Sequence, residues 1–157
     1  LKTGSIFRWC AVCACHFSGH SRLMENCARL GEEAGICFQI IDDVLDFDET
    51  NPETGKDALK DITDGCFTLP VLTALADGNC SAVLEEKLAV LKSSVWPDMT
   101  AAEEISGLVR EGGFLEKARH EAYARLKNLT PFINALPLNE SAADLKNYLW
   151  ELLERTY

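Results

Sequence analysis

The chain has 157 residues, 47% of them apolar, with 25 acidic against 15 basic side chains and a net charge of −10. That length and apolar content suit one domain with a buried core and exclude a disordered tail. The acidic balance excludes a nucleic-acid binder that works by phosphate neutralisation, and docking on anionic lipid through a basic patch.

The pattern is helical from end to end, and no stretch has strand character. Residues 4–17 are strongly apolar without clean alternation, as expected of a buried helix. Ser18, Gly19 and His20 punctuate the chain. Residues 21–47 read as one long helix with Leu23, Cys27, Leu30, Ala34, Cys37, Ile41, Val44 and Leu45 on a stripe of helical period. Residues 48–65 read as a polar loop, with Asn51, Pro52, Gly55 and Gly65 as its breakers. Residues 67–75 are apolar, and Pro70 fits a first helical turn. Residues 81–91 repeat Val83, Leu84, Leu88 and Leu91 at helical spacing. Thr100 with Glu103 reads as a capping box. Gly112 and Gly113 close that helix, residues 114–126 are amphipathic, and Ser141 with Asp144 is expected to cap a last, leucine-rich helix.

No apolar run reaches the ~20 residues of a membrane span, and no signal peptide is read. The chain begins at Leu1 and enters a cysteine-rich apolar stretch at once, which is expected of the interior of a longer chain. Seven cysteines in irregular spacing point to a reduced, cytoplasmic protein rather than a disulfide framework. Cys10, Cys13, Cys15, His16 and His20 invite a zinc reading, but no second, distant ligand pair accompanies them, and core packing is the favoured reading.

The chemistry concentrates in Phe38-Gln39-Ile40-Ile41-Asp42-Asp43-Val44-Leu45-Asp46-Phe47. On a helix Asp42 and Asp46 stand one turn apart on one face, with Asp43 beside them and Gln39 one turn back. Three neighbouring carboxylates repel, and a divalent ion removes the conflict. Oxygen-only ligands indicate Mg²⁺ or Mn²⁺ rather than zinc. The same string also suits an amphipathic helix whose solvent face is acidic. Lys2-Thr3-Gly4 heads an apolar helix and Lys56 follows Gly55, and lysine suits phosphate oxygens.

Lys2-Thr3-Gly4, Phe38-Gln39 with Asp42-Asp43-Val44-Leu45-Asp46, Gly55-Lys56, Asp61, Gly65 and Thr68-Leu69-Pro70 together resemble the second half of a trans-isoprenyl diphosphate synthase, or polyprenyl synthase. The likeness is strong over residues 2–75 and weak over the later helices, which end near Arg155. It implies that residues 1–157 form the C-terminal part of one all-α domain, a helical bundle around a central cavity. It implies a prenyltransferase that condenses an allylic diphosphate with isopentenyl diphosphate to a linear isoprenyl diphosphate. Asp42, Asp43 and Asp46 would hold Mg²⁺ as the second aspartate-rich motif. Lys2 and Lys56 would hold diphosphate, and Thr3 and Gln39 would line the site. The partner is the N-terminal half with the first aspartate-rich motif, and a homodimer is expected. Family members commonly carry lysine where this chain has Cys66. The rival readings are a non-catalytic or regulatory helical subunit and, more remotely, a terpene cyclase-like enzyme, against which Gly55-Lys56 and Thr68-Leu69-Pro70 speak.

Overall fold

A computed structural model describes residues 2–47, 54–93, 98–136 and 140–154, and for residues 54–57 the backbone alone. Among the described residues the secondary structure is entirely helical. The helices are α1 (Lys2–Phe17), α2 (Met24–Leu45), α3 (Thr54–Asp64), α4 (Leu69–Leu75), α5 (Ser81–Ser93), α6 (Met99–Glu111), α7 (Phe114–Asn128), α8 (Thr130–Asn134) and α9 (Glu140–Leu153), with a 3-10 turn at Ser21–Leu23 before α2. Two compact units result, Leu1–Ile41 with His120–Thr156, and Asp42–Arg119 with Tyr157.

The first unit is organised by α1 and α2. Leu30, Ala34, Cys37 and Ile41 recur at helical spacing on α2 and are buried, and so are Ala122, Leu126, Leu129, Ile133, Leu149 and Leu152. The Cys37 thiol donates to the Ala122 carbonyl at 3.5 Å, which ties α2 to α7. Arg125 adds a second tie, with Nη1 3.1 Å from Glu33 and Nε 2.8 Å from Glu121. Burial opposes the Arg125 charge, but the hydrogen bonds and charges of the two glutamates outweigh it and raise its pKa.

Small residues let α1 and α2 approach closely. A methyl group on Gly31 would lie 2.6 Å from the Phe7 carbonyl oxygen, and one on Gly35 would lie 2.9 Å from the Gly4 Cα. Phe7 and Phe38 close the same seam with ring centroids 5.7 Å apart. Burial of α1 is one-sided, contrary to the fully buried helix that its composition suggests. Gly4 and Cys15 are its buried residues, whereas Trp9 is 68% and Phe17 85% exposed.

The second unit has its own core of Ala58, Ile62, Val71, Leu84, Ile105, Val109 and Phe114. Three sequence expectations change here. The polar loop expected at 48–65 contains a helix, α3, because Ala58 and Ile62 stand one turn apart and bury against this core. Lys60 and Asp64 are exposed on its other side, and a helix so polar by composition reads as a loop. Residues 48–53, with Asn51 and Pro52, lie outside the described residues. Gly65 ends α3 with φ 74°, and the amides of Gly65 and Cys66 reach the carbonyls of Ile62 and Asp61 at 3.2 and 2.8 Å, a Schellman closure. The Thr100 capping box is replaced by Asp98, whose carboxylate accepts from the Ala101 amide at 3.0 Å. Ser141 is not a cap either, since α9 already begins at Glu140. The short α8 was not anticipated, and Arg155 lies outside the described residues.

The space around each missing Cβ predicts opposite effects for two helical glycines. Gly31→Ala forces a methyl into backbone and should destabilise by about 1–3 kcal/mol. Gly107, inside α6, has open space where its Cβ would stand. Gly107→Ala should stabilise by roughly 0.5–1 kcal/mol. Urea unfolding of both variants checks the pair, and equal shifts would sink the packing account.

Candidate functional site

The expected site residues divide by element. Lys2 is exposed and opens α1, and Thr3 follows it, half-buried. The Thr3 hydroxyl donates to Gln39 Oε1 at 2.7 Å. Two residues singled out separately, 36 positions apart in the chain, are thus brought together. The glycine seam makes this possible, because α1 can lie directly on α2 there. The contact fixes one end of the Gln39 amide and so orients its NH₂ group.

Asp42 and Asp43 occupy the last turn of α2, half-exposed, and that turn contains no basic residue. Asp46 lies just beyond Leu45, and its amide still bonds the Asp42 carbonyl at 3.0 Å. The helical path therefore extends to Asp46, and Asp42 and Asp46 share one face. This is an unfavourable place for acid. The C-terminal end of a helix carries a partial negative charge, and each anion placed there costs typically 0.3–1 kcal/mol. Three carboxylates within one turn add their mutual repulsion. A divalent cation relieves both terms at once.

The donor set fits such an ion. It is all oxygen, as Mg²⁺ requires, and Mg²⁺ usually takes one or two carboxylates and completes its shell with phosphate oxygens and water. Among the described residues no three His, Cys, Asp or Glu side chains form a ready cage. The core packing expected of the α1 cluster holds for Cys15 and fails for Cys10, His16 and His20, which are exposed because that face of the helix does not meet α2. Cys15 is buried and donates to the His20 carbonyl at 3.0 Å, Cys10 is exposed, and His16 packs edge-on against Phe17.

Lys56 belongs to α3 rather than to a loop, and its side chain lies outside the described residues. Asp61 is half-buried on α3. Cys66 is exposed directly after the Schellman turn, so a cation at this position would also reach solvent. Pro70 lies in the first turn of α4, as its position in the sequence suggests. The Thr3–Gln39 bond escaped the sequence reading. Its signal was the set of glycines at 4, 31 and 35, whose partners no spacing rule could pair.

A family model described as Polyprenyl synthetase matches residues 1–104. The chain belongs to the polyprenyl synthetase family. It is 29% identical over 155 residues to solanesyl diphosphate synthase 2, chloroplastic, of Arabidopsis thaliana, covering 98% of this chain and 36% of that protein. It is 30% identical over 129 residues to heptaprenyl diphosphate synthase component 2 of Geobacillus stearothermophilus, covering 81% of this chain and 38% of that one. Among solved structures, geranylgeranyl pyrophosphate synthase from Bacteroides thetaiotaomicron superposes with a TM-score of 0.78 at 27% identity, over 98% of this chain and 50% of that chain. The Lactobacillus brevis geranylgeranyl pyrophosphate synthase reaches 0.82 at 21% identity, over 98% and 48%, and shares the all-α fold. The chain thus spans between a third and two fifths of the two sequence relatives.

All seven cysteines of this polyprenyl synthetase chain are free. Burial pushes the Cys37 thiol from the ordinary 9.0 up to about 11. Since the protonated thiol is the form that fits the fold, its contribution is complete below pH 9.0 and is lost as pH rises through about 11. Iodoacetamide near neutral pH should label Cys10 and Cys66 and spare Cys37. Peptide mass spectrometry after labelling reads this, and a Cys37 rate equal to that of Cys66 would contradict the burial.

Proposed function

We propose that this chain supplies the second metal-and-diphosphate half of a prenyltransferase that joins an allylic diphosphate to isopentenyl diphosphate, giving a linear isoprenyl diphosphate. The observation that carries the proposal is the acid-rich end of α2, with Asp42 and Asp46 on one face, in a polyprenyl synthetase chain. Asp42 is the principal Mg²⁺ ligand, and Asp43 and Asp46 contribute directly or through water. The ion supplies positive charge to the departing diphosphate.

The chain's own residues do the rest. Lys2 and Lys56 bind diphosphate oxygens as compact point charges. Cleavage of the allylic C–O bond leaves the electron pair on diphosphate, and these ammonium groups stabilise the charge that develops there. Thr3 holds Gln39 through the 2.7 Å bond, so the amide would keep one orientation where the two residues line the site. The alkene of isopentenyl diphosphate attacks the allylic cation, and loss of a proton completes the product.

The proposal includes a requirement for the rest of the enzyme. The sequence relatives are between two and three times as long as this chain. Ile6, Trp9 and Phe17 lie exposed along α1, 52%, 68% and 85% accessible. That stripe suits cover by the half that carries the first aspartate-rich motif. A homodimer and a cytoplasmic location belong to the same reading. Among the described residues no helix is long and apolar enough to cross a membrane.

One observation favours a second reading. Cys66 presents a neutral, exposed thiol where the family resemblance expects a lysine. A helical subunit that supports an active partner would tolerate that change, and the Geobacillus relative is itself named as a component.

Asp42→Ala should lower turnover of the complete enzyme at least ~100-fold, because it removes a group that acts on developing leaving-group charge. Condensation of an allylic diphosphate with radiolabelled isopentenyl diphosphate measures it. Near wild-type turnover at saturating Mg²⁺ would remove Asp42 from the site.

Cys66→Lys tests whether that position faces the substrate. If the loop after α3 faces diphosphate, the added ammonium should lower KM for the allylic substrate by about tenfold or more, since a charged hydrogen bond contributes roughly 1.5–3 kcal/mol. An unchanged or raised KM shows that Cys66 faces elsewhere.

A further inference from the structure

Phe7 has no group that could ligate a metal or hold a phosphate, yet it stands at the centre of the α1–α2 seam. It lies one turn beyond Thr3 on α1, so the two side chains share one helix face. Three residues of α2 meet it. A methyl on Gly31 would stand 2.6 Å from its carbonyl oxygen, and one on Gly35 would stand 3.0 Å from its Cβ and Cγ. The Phe38 ring packs on its ring, with centroids 5.7 Å apart and planes tilted by 35°. Phe38 immediately precedes Gln39. The Phe7–Phe38 contact and the Thr3–Gln39 bond are therefore neighbouring rungs of one seam.

The two rungs differ in tolerance. Turning α1 by about 20° moves an atom at the Cβ radius by about 1 Å. Ring packing absorbs such a slip, because dispersion contact is spread over many atoms. The Thr3–Gln39 bond does not, because 2.7 Å plus that slip passes the ~3.5 Å reach of a hydrogen bond. A bulky ring seated on Gly35 and against Phe38 resists the turn, which one hydroxyl at the end of the helix cannot.

We propose that Phe7 is a positioning residue: it sets the rotation of α1 that keeps Thr3 on Gln39. It rests on the prenyl transfer proposed above, and Phe7 acts on the rate of that reaction through Gln39 without touching substrate.

The test measures kcat and KM of the complete enzyme for condensation of an allylic diphosphate with isopentenyl diphosphate. Phe7→Ala should lower kcat about tenfold or more, since a misplacement of ~1 Å can cost up to ~100-fold. Both KM values should stay within twofold. Phe7→Tyr keeps the ring on Phe38 and should retain at least half of the wild-type kcat. Thr3→Val removes the hydroxyl and should lower kcat to a similar extent. Adding Phe7→Ala to Thr3→Val should then cost less than a further twofold, because both act through one bond. Phe7→Leu keeps most of the packed volume and serves the same cycle where Phe7→Ala does not fold. A crystal structure of either variant should show Thr3 Oγ1 and Gln39 Oε1 farther apart than ~3.5 Å. The proposal is overturned if the losses add in the Thr3→Val background or if the Thr3–Gln39 bond is intact in the variant. It is also overturned if KM for the allylic substrate rises while kcat holds, which would put the ring against the substrate. A wild-type enzyme that fails to condense the two diphosphates overturns the prenyltransferase reading itself, and the wild-type assay alone shows that.

Discussion

In the first unit the backbones of α1 and α2 approach closely, and the Phe7–Phe38 and Thr3–Gln39 contacts depend on that approach. Gly4, Gly31 and Gly35 let the two helices approach, Gly31 facing Ala11 and the Phe7 carbonyl and Gly35 facing Gly4 and Phe7. Glycine inside a helix costs roughly 0.5–1 kcal/mol each relative to alanine. The chain accepts this cost at three positions of one seam, which makes sense only if the short distance matters. What it brings is dispersion contact along both backbones, the stacking of Phe7 on Phe38, and the bond from Thr3 to Gln39. The last of these cannot form from farther away, because a threonine hydroxyl is only one bond removed from Cβ.

The seam also fixes direction. Gly35 meets Gly4 while Gly31 meets Ala11, so α1 and α2 run antiparallel. Lys2 and Thr3, at the start of α1, therefore stand at the same end of the hairpin as Gln39. The N-terminus of a helix carries partial positive charge and the C-terminus partial negative charge. In α1 this polarity adds to the charge of Lys2 and suits an anion. In α2 it opposes Asp42 and Asp43 and suits a cation.

The sequence shows this chemistry more clearly than it shows the packing. Asp42 and Asp46 are legible because their relation is local, and helical spacing alone puts them on one face. Pro70 and Gly113, with φ 71°, are legible because backbone stereochemistry acts at the residue itself. α3 was not, because a helix of eleven residues with Ala58 and Ile62 on its inner face is polar by composition. Its burial depends on a core assembled from α4, α5 and α6, which no local pattern contains. The cap of α6 failed for a subtler reason. Thr100 and Glu103 satisfy the capping pattern, yet Asp98 two residues earlier takes the role, since its carboxylate reaches the Ala101 amide. α1 shows the limit of composition. Its apolar content is high, but content does not distinguish the face that meets α2 from the face that carries Trp9 and Phe17.

The cysteines follow from the same geometry rather than from redox chemistry. Where α2 meets α7, Cys37 lies in the buried row of Leu30, Ala34 and Ile41, close enough for its thiol to reach the Ala122 carbonyl. A leucine there would force extra methylenes against backbone, which costs about 1–3 kcal/mol. An alanine would leave a void and an unmet carbonyl lone pair. Thiol is of intermediate size, apolar enough for the core and still a weak donor. Cys15 does the same at the end of α1, where its thiol closes onto the His20 carbonyl as the chain turns into α2. Volume matching accounts for Cys15 and Cys37, which are buried, and not for Cys10 and Cys66, which are exposed.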